Sequence, residues 1–177
     1  LFVNYIYSNN LMNKLLNRSI KTTIPTKFCC FIVSNSGCDV RNKMFEMLSL
    51  YKKVDSYGKY ANNMNMNIKY KWWSDEYIKF ISNYKFIICF ENTKIRTYST
   101  EKIINPYLAH IIPIYWSSHH IKKIINPKSM LFLENETDKS FNKLINKVIE
   151  LDNDDKKYLE FVNRPVFTNL NYWNNNY

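Results

Sequence analysis

No stretch of roughly 18 or more uncharged apolar residues occurs in the 177-residue chain, so no segment of it is expected to cross a membrane as a helix. No basic-then-apolar leader opens the chain, and it starts at Leu1 rather than at methionine, which points to a fragment or a processed product. Cys29, Cys30, Cys38 and Cys89 lack the C-x-x-C spacing of a metal site. Three of them fall in or beside expected buried strands and read as small core side chains. His110, His119 and His120 have no cysteine or carboxylate at metal-ligand spacing, so solvated or structural roles are expected despite the titration of imidazole near neutrality. There is no internal repeat, and the asparagine-laden loop at 58–70 is too short for a low-complexity domain.

A net charge of +10 and a pI near 9.3 fit a nucleic acid, an anionic membrane or a phosphorylated small molecule as partner. The distribution argues for the last. Lysines are scattered, as at Lys52-Lys53, Lys69, Lys71, Lys122-Lys123 and Lys156-Lys157, and no basic stripe interleaved with aromatics marks a strand-binding groove, so no nucleic-acid partner is expected. The wealth of Asn, Ile, Lys and Tyr resembles the codon usage of an A/T-rich genome, and most of the charge reads as solvated surface.

The length suits one domain. Residues 1–26 are mixed, with an aromatic start at Phe2 to Tyr7, a short helix expected from Asn10 to Leu16 and a polar approach to Pro25. From Lys27 strands and helices alternate. Strands are expected at Phe28 to Val33, at Val54, at Tyr84 to Phe90, at Ile111 to Tyr115 and at Met130 to Leu133. Helices are expected at Asp39 to Leu50, Ser74 to Asn83, Thr100 to Ala109, Asp138 to Leu151 and Asp154 to Asn163, with a helical turn at His119 to Ile124. The fold class is therefore α/β, a Rossmann-like parallel sheet with helices on both faces. The end of the chain, with Trp173, reads as a frayed or docked tail.

The densest information lies where Tyr84-Lys85-Phe86-Ile87-Ile88-Cys89-Phe90, a run fit for a strand buried on both faces, meets Glu91-Asn92-Thr93 and Tyr98-Ser99-Thr100-Glu101-Lys102-Ile103. Ser99 or Thr100 would cap the helix that follows, with Glu101 in its first turn. Its free N–H groups suit an anion, and Lys102 adds a full charge beside them. This F-E-N-[S/T] with Y-x-T-E-K resembles the fucosyltransferases of glycosyltransferase family 10, the α-1,3/α-1,4-fucosyltransferases. Further segments resemble that family in order: Lys27-Phe28-Cys29-Cys30-Phe31-Ile32-Val33-Ser34-Asn35, Arg41 to Phe45, Tyr51 to Ser56, Asn62-Asn63, Ile112 to Trp116 and Asn126 to Met130. Together they cover roughly residues 27–133.

The resemblance implies a GT-B-type enzyme of which this chain is the C-terminal, donor-binding half. Residues 1–26 would be an interdomain connector or remnant of the acceptor domain, 27–165 a GDP-fucose-binding domain, and 166–177 a C-terminal tail. It implies transfer of L-fucose from GDP-fucose to a hydroxyl of an N-acetylglucosamine- or glucose-containing glycan, with inversion and no bound catalytic metal or other cofactor. Negative charge building on the departing diphosphate must then be met by cations and helix dipoles, and no D-x-D occurs in the donor region. Arg41 and Lys102 match the family's diphosphate-binding positions, and together they are expected to converge on one pocket at the mouth of the sheet. Glu101 would take the ribose hydroxyls. Tyr98 and Asn92 resemble positions that bond the diphosphate or the fucose, against a half-buried phenol and a turn-forming amide as structural alternatives. Glu91 either bonds the donor sugar or orients the loop. Ser34 and Asn35 stand at the carboxyl end of the first strand, where ligands bind in open α/β sheets. Asp55 and Asn63 are candidates near the guanosine end.

The sequence departs from the family's pattern at Ile95-Arg96-Thr97, where small, flexible residues and a glycine are usual, at Tyr57 before Gly58, and at Ser117 in place of a glycine. A general base for the acceptor hydroxyl is expected outside the chain, in an amino-terminal domain, since no acidic residue precedes Lys27. The chain alone is accordingly expected to bind GDP or GDP-fucose and turn over poorly. Rival readings are a transferase for GDP-mannose or a UDP-sugar on the same fold, a nucleotide- or polyanion-binding module without catalysis, and an inactive relative. The acceptor, the choice between α-1,3 and α-1,4 linkage and the compartment stay open: cytosolic for a bacterial or viral protein, Golgi-anchored through a segment outside this chain for a eukaryotic one. The sequons at Asn17-Arg18-Ser19 and Asn135-Glu136-Thr137 arise readily by chance in a chain so rich in asparagine.

Overall fold

The computed structural model describes residues 10–96 and 98–167. The expected aromatic start at Phe2 to Tyr7, Thr97 and the Trp173 tail lie outside the described residues. Five strands, β1 (Lys27–Phe31), β2 (Val54–Ser56), β3 (Tyr84–Ile88), β4 (Ile112–Tyr115) and β5 (Leu131–Phe132), form one parallel sheet in the order β2-β1-β3-β4-β5. Parallel pairing needs a crossover between strands. Here those are α2 (Asp39–Ser49), α3 (Asp75–Ile81), α4 (Glu101–Leu108) and two 3-10 turns, His119–Lys123 and Pro127–Ser129. Three more helices complete the described chain: α1 (Leu11–Leu16) before β1, then α5 (Asp138–Asp152) and α6 (Asp155–Val162) after β5.

The central strands are apolar throughout because both faces are covered. On one face Cys30, Ile87, Cys89 and Tyr115 pack with Leu11 and Leu15 of α1, Ile81 of α3, and Ile103, Ile104 and Tyr107 of α4. On the other, Phe28, Phe31, Phe86, Ile88 and Ile114 pack with Met44 and Leu48 of α2, Phe141 and Val148 of α5, and Tyr158 and Phe161 of α6. All four cysteines are buried and unpaired with one another. Burial is the first cause raising the Cys29, Cys30 and Cys89 thiols well above their ordinary value, so they stay protonated core side chains.

Helix starts follow local chemistry. Ser74, Thr100, Thr137 and Asp154 each accept an N–H from the first turn of the helix they precede. Of the two candidate caps for α4, Thr100 is the one used. The same helix ends at His110, which takes a left-handed φ of 51° while its N–H reaches the Tyr107 carbonyl at 3.2 Å. The segment 10–26 is docked: Arg18 donates to the carbonyls of Tyr107 (3.1 Å) and Val162 (2.8 Å), and Lys21 exchanges two hydrogen bonds with the side chain of Asn163. At the other end, Asn126 N–H donates to the Val166 carbonyl at 2.7 Å, and Phe167 bridges Ile125 antiparallel.

The amino-terminal edge of the sheet is tied by one buried carboxylate. Asp152, at the end of α5, accepts from Lys52 (3.0 Å) and Tyr51 (3.0 Å) and pairs with Lys85 (3.1 Å) at the start of β3. Burial opposes its charge, and the bonds from Lys52, Lys85 and Tyr51 outweigh that and hold the carboxyl below the ordinary aspartate value. At the β2 edge Asn63 serves as a substitute strand: its side chain accepts from Ser56 N–H (2.9 Å) and donates to the Val54 carbonyl (2.9 Å).

Candidate functional site

Strand order reverses between β1 and β3, since β2 lies on one side of β1 and β4 follows β3 on the other. In open sheets wound this way the crevice beyond the carboxyl ends of those strands is where ligands bind. A cleft of about 640 Å³ opens there, lined by Ile32, Val33 and Ser34 after β1, Ile88 to Phe90 at the end of β3, and Glu101, Lys102, Asn105 and Pro106 of α4. The loop after β2 supplies the outer wall, from Tyr57 to Lys59 and again from Asn67 to Trp73. Gly58 permits this: a Cβ there would sit 1.8 Å from the Val33 carbonyl oxygen, so only glycine lets the two loops come together.

At the mouth, the two halves of the sequence motif are fastened through Glu91. Its carboxylate is fully buried and accepts from Thr100 N–H (2.8 Å), Thr100 Oγ1 (3.0 Å), the Tyr115 hydroxyl (2.9 Å) and Lys102 Nζ (3.2 Å). Burial first, and then the Glu91 charge, push the Tyr115 phenol well above its ordinary value, which keeps it a donor. Through these bonds Glu91 ties the first turn of α4 and the Lys102 ammonium to the end of β3. Lys102 remains partly exposed and lines the cleft.

Arg41 is 1% exposed and is not among the residues that line the cleft. One terminal nitrogen donates to Asn92 Oδ1 (2.6 Å) and the other to the Asn35 carbonyl, so the guanidinium clamps the loop after β3 to the loop after β1. Burial lowers it from the ordinary arginine value, while Cys38, Glu91 and Tyr60 act the other way. Its Nε has no partner among the described residues. The fork expected to grip an anion is thus occupied by protein oxygens, and of the two cations Lys102 lines the cleft while Arg41 does not.

The remaining candidates divide. Ser34 and Glu101 line the cleft beside Lys102. Asn35 and Asn92 join Arg41, and Tyr98 is half-buried in the loop before α4, its N–H closing a turn on the Ile95 carbonyl at 3.1 Å. Asp55 accepts from the Tyr84 hydroxyl (2.9 Å), which also meets the Tyr57 hydroxyl (2.6 Å). Asp55 and Asn63 are outside the lining, each with its polar atoms used in the fold. The departure at Tyr57 therefore has a packed role in the cleft wall, and Ser117 is fully buried with its hydroxyl on the Ser118 carbonyl. No histidine lines the cleft; His119 meets Glu134 at 3.3 Å, and burial with nearby cations lowers His110 and His120 below the ordinary value. Sequence reasoning missed Tyr115, Asn105 and the Trp72-Trp73 wall. Asn105 could have been found, because it follows Glu101 by one helical turn.

Among the described residues no group of three or more His, Cys, Asp or Glu side chains could hold a metal ion, and no helix is long and apolar enough to cross a membrane. Residues 23–173 match the family described as glycosyltransferase family 10 (fucosyltransferase) C-term. The chain is 36% identical over 135 residues to the alpha-(1,3)-fucosyltransferase FucT of Helicobacter pylori, covering 76% of this chain and 27% of that protein. It is 26% identical over 166 residues to the GDP-fucose protein O-fucosyltransferase 3 of Danio rerio, covering 89% of this chain and 36% of that one. It superposes with a TM-score of 0.72 and 32% identity on a crystal structure of alpha1,3-fucosyltransferase with GDP-fucose, covering 94% of this chain and 45% of the other. The chain thus spans less than half the length of each of these relatives. With its sheet order, its switch-point cleft and its motif residues in place, the chain belongs to glycosyltransferase family 10, the fucosyltransferases, as their C-terminal domain.

Proposed function

We propose that this chain is the donor-binding domain of a fucosyltransferase and holds GDP-fucose in the β1/β3 cleft. The observation that carries the reading is the Glu91 junction, which sets the capped first turn of α4 and the partly exposed Lys102 at the cleft mouth. As the bond from the sugar's anomeric carbon to the β-phosphate breaks, negative charge grows on the diphosphate. Lys102 and the N–H groups of α4 meet it, already oriented and at little reorganisation cost. Arg41 adds positive charge near Glu91 while its bonds tie Asn35 to Asn92. Glu101 faces the ribose hydroxyls, Ser34 and Tyr98 the diphosphate and sugar. These charges belong to the protein, so the step as proposed uses no bound metal. Inversion follows if a base deprotonates the acceptor from the opposite side, and that base would come from an amino-terminal acceptor domain, to which the segment before residue 27 would connect.

The acceptor is proposed as a glycan hydroxyl on N-acetylglucosamine or glucose. A protein hydroxyl is the second reading, favoured by the similarity to a protein O-fucosyltransferase. A thermal-shift comparison of GDP, GDP-fucose, GDP-mannose, UDP and a UDP-sugar tests the donor. At 100 times its dissociation constant a ligand adds about 2.7 kcal/mol, or about 5–10 °C for a chain of this size. The expected result is such a shift for GDP and GDP-fucose; an equal shift with UDP, or none with GDP, overturns the proposal. A salt series run beside it separates out a polyanion-binding module, whose affinity falls steeply with salt.

A further inference from the structure

Asn105 is 4% exposed and lines the cleft, one turn below Glu101 on α4. Its Nδ2 donates to the Trp72 carbonyl at 2.9 Å, which fixes the amide's orientation, because the oxygen could not face that carbonyl. Its Oδ1 is buried and has no partner among the described residues. Of the side-chain atoms left this way, it is the one belonging to a cleft-lining residue. A buried acceptor without a donor is costly, so an occupant of the cleft that brings an N–H there gains more than an exposed contact would give. The same cleft carries apolar and aromatic side chains, Ile32 after β1, Ile87 of β3, Tyr57, Tyr77, Trp72 and Trp73, alongside Lys59 and Lys71. Moving along α4 from Lys102 to Asn105 passes from a place suited to phosphate to one suited to a flat ring with donors on its edge.

We infer that Asn105 Oδ1 reads the base of the nucleotide, accepting from the amine-bearing edge of guanine within this aromatic slot. The assignment rests on the donor-site reading above and deepens it. Guanine presents its ring N–H and its 2-amino group side by side, and one carbonyl oxygen with two lone pairs can take both. Hypoxanthine lacks the 2-amino group but keeps the ring N–H and the same diphosphate. Uracil has a single N–H between two acceptors and a smaller ring.

The test measures GDP and inosine diphosphate by calorimetry on the unmodified chain and on Asn105→Leu, with inorganic pyrophosphate as a competitor. The expected result is about tenfold tighter binding of GDP than of inosine diphosphate by the unmodified chain, falling to within about twofold in Asn105→Leu, with pyrophosphate competing equally in both. Equal binding of the two nucleotides by the unmodified chain overturns the inference without any variant, and so does an Asn105→Leu protein that keeps the tenfold preference. Failure to bind GDP or pyrophosphate at all overturns the donor-site reading and this inference together, whereas tight GDP binding without base preference overturns this inference alone.

Discussion

Glu91 and Lys102 form the ion pair on which the site's geometry turns, and they do so from unequal positions. Glu91 is fully buried and Lys102 is partly exposed. Removing the lysine therefore leaves a buried carboxylate with Thr100 and Tyr115 as its hydrogen-bond donors and only the Arg41 charge to offset it, whereas removing both members of the pair strands no carboxylate. Lys102→Met is expected to lose about 3 kcal/mol of stability by urea unfolding. Glu91→Gln combined with Lys102→Met should recover at least half of that, while neither protein regains GDP affinity. A double variant no more stable than the single one would show that Glu91 is not held by Lys102. The motif announced that these residues belong together, because their types and order are in the sequence. Whether Glu91 touches ligand or protein was not legible there. Its partners stand 9, 11 and 24 residues away, and only the parallel pairing of β3 with β4 brings Tyr115 beside it. The same holds for Arg41, whose fork reads as an anion clamp in sequence until folding supplies Asn92, 51 residues on, as its partner.

Among elements, strands and helices were legible where apolar period and capping agree, as in α3, which starts behind Ser74, and α5, which starts behind Thr137. The strands are shorter than the apolar runs that announce them. Residues such as Cys89 and Phe90 are buried beyond the end of β3 without continuing it. The outer wall of the cleft was the least legible part. The loop from 58 to 73 has no period, and its course is set by Gly58 meeting Val33 and by Asn105 holding Trp72. At the opposite edge, Asp152 joins α5 to the starts of β2 and β3 through Lys52 and Lys85. Its carboxyl is held below the ordinary aspartate value, so its contribution is complete above the unfolded aspartate range and disappears as pH falls through the folded value. Asp152→Ala is expected to cost about 3 kcal/mol at pH 7, with the gap to the unmodified chain narrowing as pH falls below the ordinary aspartate value. Denaturant midpoints across that range give the check; a gap that widened on acidification would contradict the assignment.

For the whole molecule, the cleft proposed to hold the donor lies within one sheet and its helices, while the matched relatives are more than twice as long. Binding and turnover should therefore separate. The chain alone is expected to hold GDP-fucose yet transfer fucose to N-acetyllactosamine at least a hundredfold more slowly than the same chain joined to an acceptor domain, a loss of the order ascribed to a missing general base. Transfer assays on both would decide, and equal rates would mean that the base lies in this chain. A different property of the molecule comes from its outermost strands. β2 has three residues and its free side is already met by the Asn63 amide, and β5 has two. Edges this short offer another chain little backbone to pair with, the arrangement by which sheets limit edge-to-edge aggregation.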